Sequence, residues 1–153
     1  MTGDPSAKDW PVTQYLVTPM PTLDPRSPIA ESALCDALAS ETRLLDNLIV
    51  IMRSQRDAAA RDDLAAVGDS VFATQRVLHT LGEARRRRHS IYRMLGAPEH
   101  VGAPAIAAVL GSALAAEPSR ALDTLMTAAR ALAREVEVNR AALRQALAVE
   151  RLA

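Results

Sequence analysis

The chain has 153 residues, enough for one domain that buries about two thirds of its unfolded surface. Of its 75 apolar residues 30 are alanine and 19 are leucine, and only Trp10, Tyr15, Phe72 and Tyr92 are aromatic, which excludes an all-β sandwich and argues against a deep small-molecule pocket. Eighteen basic residues balance eighteen acidic ones, with local sums of −1 over 1–28, +1 over 29–95 and 0 over 96–153, so no basic excess marks a nucleic-acid or membrane-surface binder.

Met1–Lys8 is polar and no apolar run follows it, so no signal peptide is expected and the chain reads as cytoplasmic. Six of the nine prolines fall before residue 29. Each fixes φ, removes a donor and disfavours helix in the residue before it. Residues 1–27 therefore read as a proline-rich flexible tail and residues 28–153 as a helical domain. Trp10, Tyr15, Leu16 and Val17 give the tail an apolar cluster, read as idle rather than docked.

A first long helix is expected from Ser27-Pro28, with serine as N-cap and proline at the first helical position. Leu38, Leu45, Leu48, Met52 and Ala59 make its stripe, widened by Leu34, Ile49 and Ile51, with Glu41 and Gln55 as polar members. Arg61-Asp62-Asp63 reads as a turn, because a hairpin buries both helical stripes where one continuous rod buries neither. Asp62 or Asp63 would cap the next helix. There Leu64, Val71, Leu78, Arg85 and Tyr92 recur every seven residues, interleaved with Val67, Thr74, Leu81, Arg88 and Leu95, an a/d heptad frame whose last third is arginine-rich. Gly96 stands where a helix end needs left-handed φ. A loop to Pro104 follows, then a short helix over 104–116 weakened by Gly111. Pro118-Ser119 breaks the chain again, with Ser119 capping a last helix that runs to the end. Its stripe is Leu122, Leu125, Ala129, Leu132, Val136, Asn139, Leu143 and Ala146. The expected fold is all-α: a long antiparallel helical hairpin, a short helix and a long C-terminal helix, bundle-like or coiled-coil-like.

Chemistry-bearing patterns are sparse. There is no Gly-rich phosphate loop, Cys-x-x-Cys or His-Glu-x-x-His. His79 and Glu83 lie one turn apart but lack further metal ligands at helical spacing, and read as a solvated pair. Asp62-Asp63 suits capping better than acid–base work. Arg85–Arg88 fan around the helix cylinder rather than forming one basic face, with Glu83 placed to pair with Arg87. The arginines over the seam are expected to pack their stems and keep their heads in water. Cys35 is the sole cysteine, which excludes an intrachain disulfide and fits a reducing compartment. With Asp36 beside it the thiol reads as inert. Asn139 in the last seam either fixes register or bonds a partner. No catalytic, cofactor or metal site is expected, and the chain reads as a non-enzyme.

The pattern Glu41-x3-Leu45-x2-Leu48-x3-Met52-x2-Gln55-Arg56-x-Ala58, then Asp63-Leu64-x2-Val67, then Leu81-x-Glu83-x-Arg85-Arg86 closing on Leu95-Gly96, resembles flagellar export chaperones of the FlgN family. Asn139-Arg140-x2-Leu143-x3-Leu147-x2-Glu150 is similar to that family's C-terminal stretch. The resemblance spans about 29–153. It implies a small cytoplasmic helical chaperone that holds the C-terminal helices of hook–filament junction proteins before type III export. It also implies contact with export gate or ATPase components. Family analogy places the client surface on the last helix, at Leu122, Leu125, Ala129, Leu132, Val136, Asn139, Leu143 and Leu147. No nucleic acid or membrane insertion is expected. The alternative is a structural coiled-coil or adaptor protein that self-associates, for example as a homodimer, through the same seams.

Overall fold

A computed structural model describes residues 22–98 and 102–150, with the side chains of 146–150 left aside. The chain is all-α: α1 is Pro28–Ala60, α2 Leu64–Met94, α3 Ala103–Leu110 and α4 Ala116–Glu150. Trp10, Tyr15, Leu16 and Val17 lie outside the described residues.

Each boundary has a local cause. Ser27 Oγ accepts the Ala30 N–H at 3.2 Å, and Pro28 sits in the first turn, where its missing donor costs nothing. The α1–α2 turn is a compact double device. Asp62 takes φ +56°, and the Asp63 and Asp62 amides return to the Ala58 and Ala59 carbonyls at 3.0 and 3.1 Å. Asp63 Oδ1 then accepts the Ala66 N–H at 3.0 Å, so the residue that finishes closing one helix caps the next. Gly96, at φ +82°, closes α2 the same way, with its own amide on Arg93 O and the Ala97 amide on Tyr92 O.

Three sequence-based boundaries shift. Residues 22–27 are not free tail: the Leu23 amide donates to Met94 O at 2.6 Å, Leu23 packs on the core, and Arg26 reaches Ser112 O. The short helix starts at Ala103 and stops at Leu110, where the chain turns through Gly111. A Cβ at Gly111 would strike the Ala107 carbonyl. Ser119 does not cap α4. The helix begins three residues earlier, and the Ser119 amide donates to Ala115 O at 3.2 Å. Pro118 is buried in that first turn, where helix amides need no intrahelical acceptor, so proline does not break it.

α1 is the axis of the molecule. α2 and α4 both pack on it and not on each other, and α3 packs on α4. α2 runs antiparallel to α1, as Glu41 beside Arg88 and Ile51 beside Ala73 show. α4 runs parallel to it, with Glu117 near Cys35 and Asn139 bonded to Gln55. α3 makes the crossover at the end where α1 begins.

The core is lopsided. Leu34, Leu38, Leu45 and Leu48 of α1 meet Leu81, Ile91 and Tyr92 of α2, Ile106 and Leu110 of α3, and Leu122 and Leu125 of α4. Each fully buried aliphatic contributes about 1.5–3 kcal/mol. Every fully buried apolar side chain of α2 lies at Leu81 or later, and every one described on α4 lies at Ala128 or earlier. The bundle is closed around the start of α1 and open toward its end.

Candidate functional site

Along the closed half, α2 and α4 stand apart over α1 and leave a groove of about 520 Å³. Glu41 and Leu45 form its floor, Arg85, Arg88 and His89 one wall, and Leu125, Met126, Ala129, Arg130 and Ala133 the other, with Ala103 and Pro104 closing one end. Alanines on α4 keep that wall low. The lining offers apolar contact flanked by positive charge.

Helix geometry sets the polar floor. Glu41 and Arg88 occupy seam positions of facing antiparallel helices, so both are buried, at 3% and 5% exposure. Arg88 Nε donates to Glu41 Oε2 at 2.6 Å and Nη2 to Oε1 at 3.3 Å, while Arg85 Nε reaches Oε1 at 3.4 Å. The guanidinium carbon lies 5.2 Å from the Tyr92 ring centre, a cation–π distance. Burial alone would push the Arg88 guanidinium down, but Glu41 outweighs it and holds Arg88 above its ordinary value, so it stays charged. Burial raises the Tyr92 phenol, against the pull of Arg88. Arg88 Nη1 and Tyr92 Oη are each buried without a hydrogen-bond partner.

This corrects two expectations about the arginine run. The Arg88 head is not in water: its stem and its charge are both enclosed. Glu83 does not pair with Arg87 but lies 3.7 Å from His79, both exposed, which is the solvated pair the spacing suggested. Arg86 and Arg87 are exposed as expected.

The α4 residues proposed from family analogy fall into distinct environments. Leu122 and Leu125 are buried in the core against α1 and are unavailable to a partner in this form. Leu132 and Val136 are half-buried, Ala129 is exposed, and Leu143 is 44% exposed. The Leu147 side chain lies outside the described residues. Asn139 Nδ2 donates to Gln55 Oε1 at 3.0 Å, which makes it a register contact, although its Oδ1 is buried without a partner. One turn earlier Glu135 accepts Arg53 at 2.7 Å and Arg56 at 2.8 Å, and these bonds hold its carboxyl below the usual carboxylate value. Together they pin α4 to α1 beyond the last fully buried apolar side chain described on α4.

Cys35 is half-buried. Burial, then Glu117, Glu31 and Asp36, push its thiol up, against thiolate chemistry. Among the described residues no group of three or more His, Cys, Asp or Glu could hold a metal, and no helix is long and apolar enough to cross a membrane.

No family model, curated protein or solved structure matches this chain.

The sequence reasoning missed the groove. A carboxylate in one seam and an arginine in the facing seam 47 residues later was the available signal, since two such charges at buried positions are expected to find each other. The basic wall residue Arg130 left no comparable trace.

Proposed function

We propose that this protein is a cytoplasmic helix-binding chaperone of the flagellar export type, which holds the C-terminal helical region of hook–filament junction proteins and keeps it soluble for type III export. The observation that supports the reading is the change along α4. Its apolar stripe enters the core at Leu122 and Leu125, becomes half-covered at Leu132 and Val136, and is open at Leu143, while Val138 is exposed on a different side of the helix. α1 ends level with Leu143, where Ala59 and Ala60 face Ala142 and Leu143. α4 continues to Glu150, about 10 Å farther at 1.5 Å per residue. A helix that is anchored at one end and apolar but uncovered at the other suits helix-against-helix capture. The client's amphipathic terminal helix exposes an apolar face of its own, and the two faces cover each other.

The client surface is the outer half of α4, Leu132, Val136 and Leu143, and not Leu122 or Leu125, which hold the chaperone together. Calorimetric titration with a junction-protein C-terminal peptide tests this. Leu143→Asp should weaken binding at least tenfold, about 1.4 kcal/mol, with an unchanged melting temperature. Leu125→Asp should lower the melting temperature sharply. Unaltered affinity in Leu143→Asp would move the client surface off α4.

A further inference from the structure

We propose that α2 pairs antiparallel with α2 of a second copy of this chain through Leu64, Val71, Phe72 and Leu78. These side chains are 82%, 42%, 69% and 51% exposed, although three of them belong to a regular heptad frame. The frame splits by row. Leu81, Arg88 and Leu95 of one row face α1, whereas Leu64, Val71 and Leu78 of the other face outward until Tyr92 turns in at the closed end. An apolar row of this kind, about four turns long at 3.6 residues per turn and broadened by Phe72, is unusual on a surface that stays in water.

The outward row names its own partner. Its members are Leu64, Gly68, Val71, Gln75, Leu78 and Gly82, separated by four, three, four, three and four residues. That spacing reads the same in both directions. When one α2 is laid antiparallel on another, Leu64 falls opposite Gly82 of the second copy and Leu78 opposite its Gly68, with Val71 opposite Gln75. Every leucine meets a glycine. Parallel in-register pairing would set leucine on leucine and leave gaps at glycine on glycine. Nothing within the monomer calls for either glycine. A Cβ at Gly68 would meet no atom within 4 Å, and one at Gly82 only the guanidinium of the exposed Arg86 at 3.8 Å. Glycine is unfavourable in a helix interior relative to alanine, so two of them on one exposed row fit close approach by another helix. Phe72 falls beside the two-fold axis and meets Phe72 of the second copy. On the same flank Arg76 comes beside Asp69 of the second copy, and the symmetry repeats the pair, which adds charge complementarity to the fit.

Sedimentation equilibrium of the full chain over roughly 1–100 µM tests the proposal. The wild type should approach dimer mass. Leu78→Glu and Gly68→Gln should each raise the dimer dissociation constant at least tenfold with unchanged helix content by circular dichroism, since neither position is packed within the monomer. Orientation is read by cross-linking in a Cys35→Ser background. Phe72→Cys should form an intermolecular disulfide on mild oxidation. Leu64→Cys should not, because the two positions lie about 27 Å apart across an antiparallel pair at 1.5 Å per residue. A wild type that stays monomeric throughout overturns the proposal and leaves the row to a foreign helix. A dimer that survives both substitutions, or Leu64→Cys cross-linking readily, overturns it as well.

Discussion

Glu41 and Arg88 form the one ion pair that is buried on both sides among the described residues. Removing one member leaves the other charge enclosed. Glu41→Leu is expected to cost about 3–5 kcal/mol in urea unfolding, and adding Arg88→Met should recover most of the loss, because apolar pairs of similar volume replace buried ion pairs at little cost. A double variant no more stable than Glu41→Leu would mean that the arginine is held by something other than its charge. Glu135 works in a different setting, on a partly exposed helix face between Arg53 and Arg56. Its carboxyl is lowered in the folded chain, so its contribution is complete above the ordinary value of 4.5 and is lost as pH falls through the lowered one. Glu135→Gln should therefore lower the melting temperature at about pH 7 and have little effect at about pH 2. An equal effect at both pH values would contradict the ionic account. The seam positions of Glu41 and Arg88 were legible in the sequence and signalled that the carboxylate would meet an arginine, but which arginine it meets was not, because that depends on how far two helices slide past each other.

At the scale of elements, the helices end where backbone conformation changes hand. Gly96 at φ +82° and Asp62 at φ +56° are the two positive-φ residues described. Gly96→Ala should destabilise by about 1–2 kcal/mol, since a Cβ is strained there, whereas Asp62→Gly should be neutral or mildly stabilising in thermal melts. Ser27, Pro28 and Gly96 could be read directly, and the cap of α2 was narrowed to Asp62 or Asp63, because each acts through its own backbone or the next turn. Ser119 misled for a physical reason. Pro118 is tolerated in a first turn as readily as just before one, so a Pro-Ser pair does not say on which side of it the helix begins. The heptad frame of α2 was also legible, but which of its rows faces α1 was not. Periodicity fixes the stripes on a helix and leaves their partners open.

For the whole molecule, the lopsided core is the feature from which the function is argued. Leu34 to Leu48 of α1 are covered from two sides, while Leu64 to Leu78 of α2 and Val138 to Leu143 of α4 keep apolar surface in water. All-α architecture followed from Ala/Leu composition and 3.6-residue periodicity. The open end did not, because a sequence stripe looks the same whether its partner is in the chain or outside it. Residues such as Leu122 and Leu143 share one stripe in the sequence and separate only in three dimensions. Hydrogen–deuterium exchange of the full chain, with and without a junction-protein C-terminal peptide, reads directly whether the open end of α4 captures a client helix. In the free protein, α4 amides over 132–145 should exchange faster than those over 118–128, because local opening follows the density of buried contacts. On adding the peptide, protection should rise over 132–145 of α4 and stay unchanged over 30–45 of α1. No protection with any such peptide, or protection confined to the closed end, would contradict client capture by the outer half of α4.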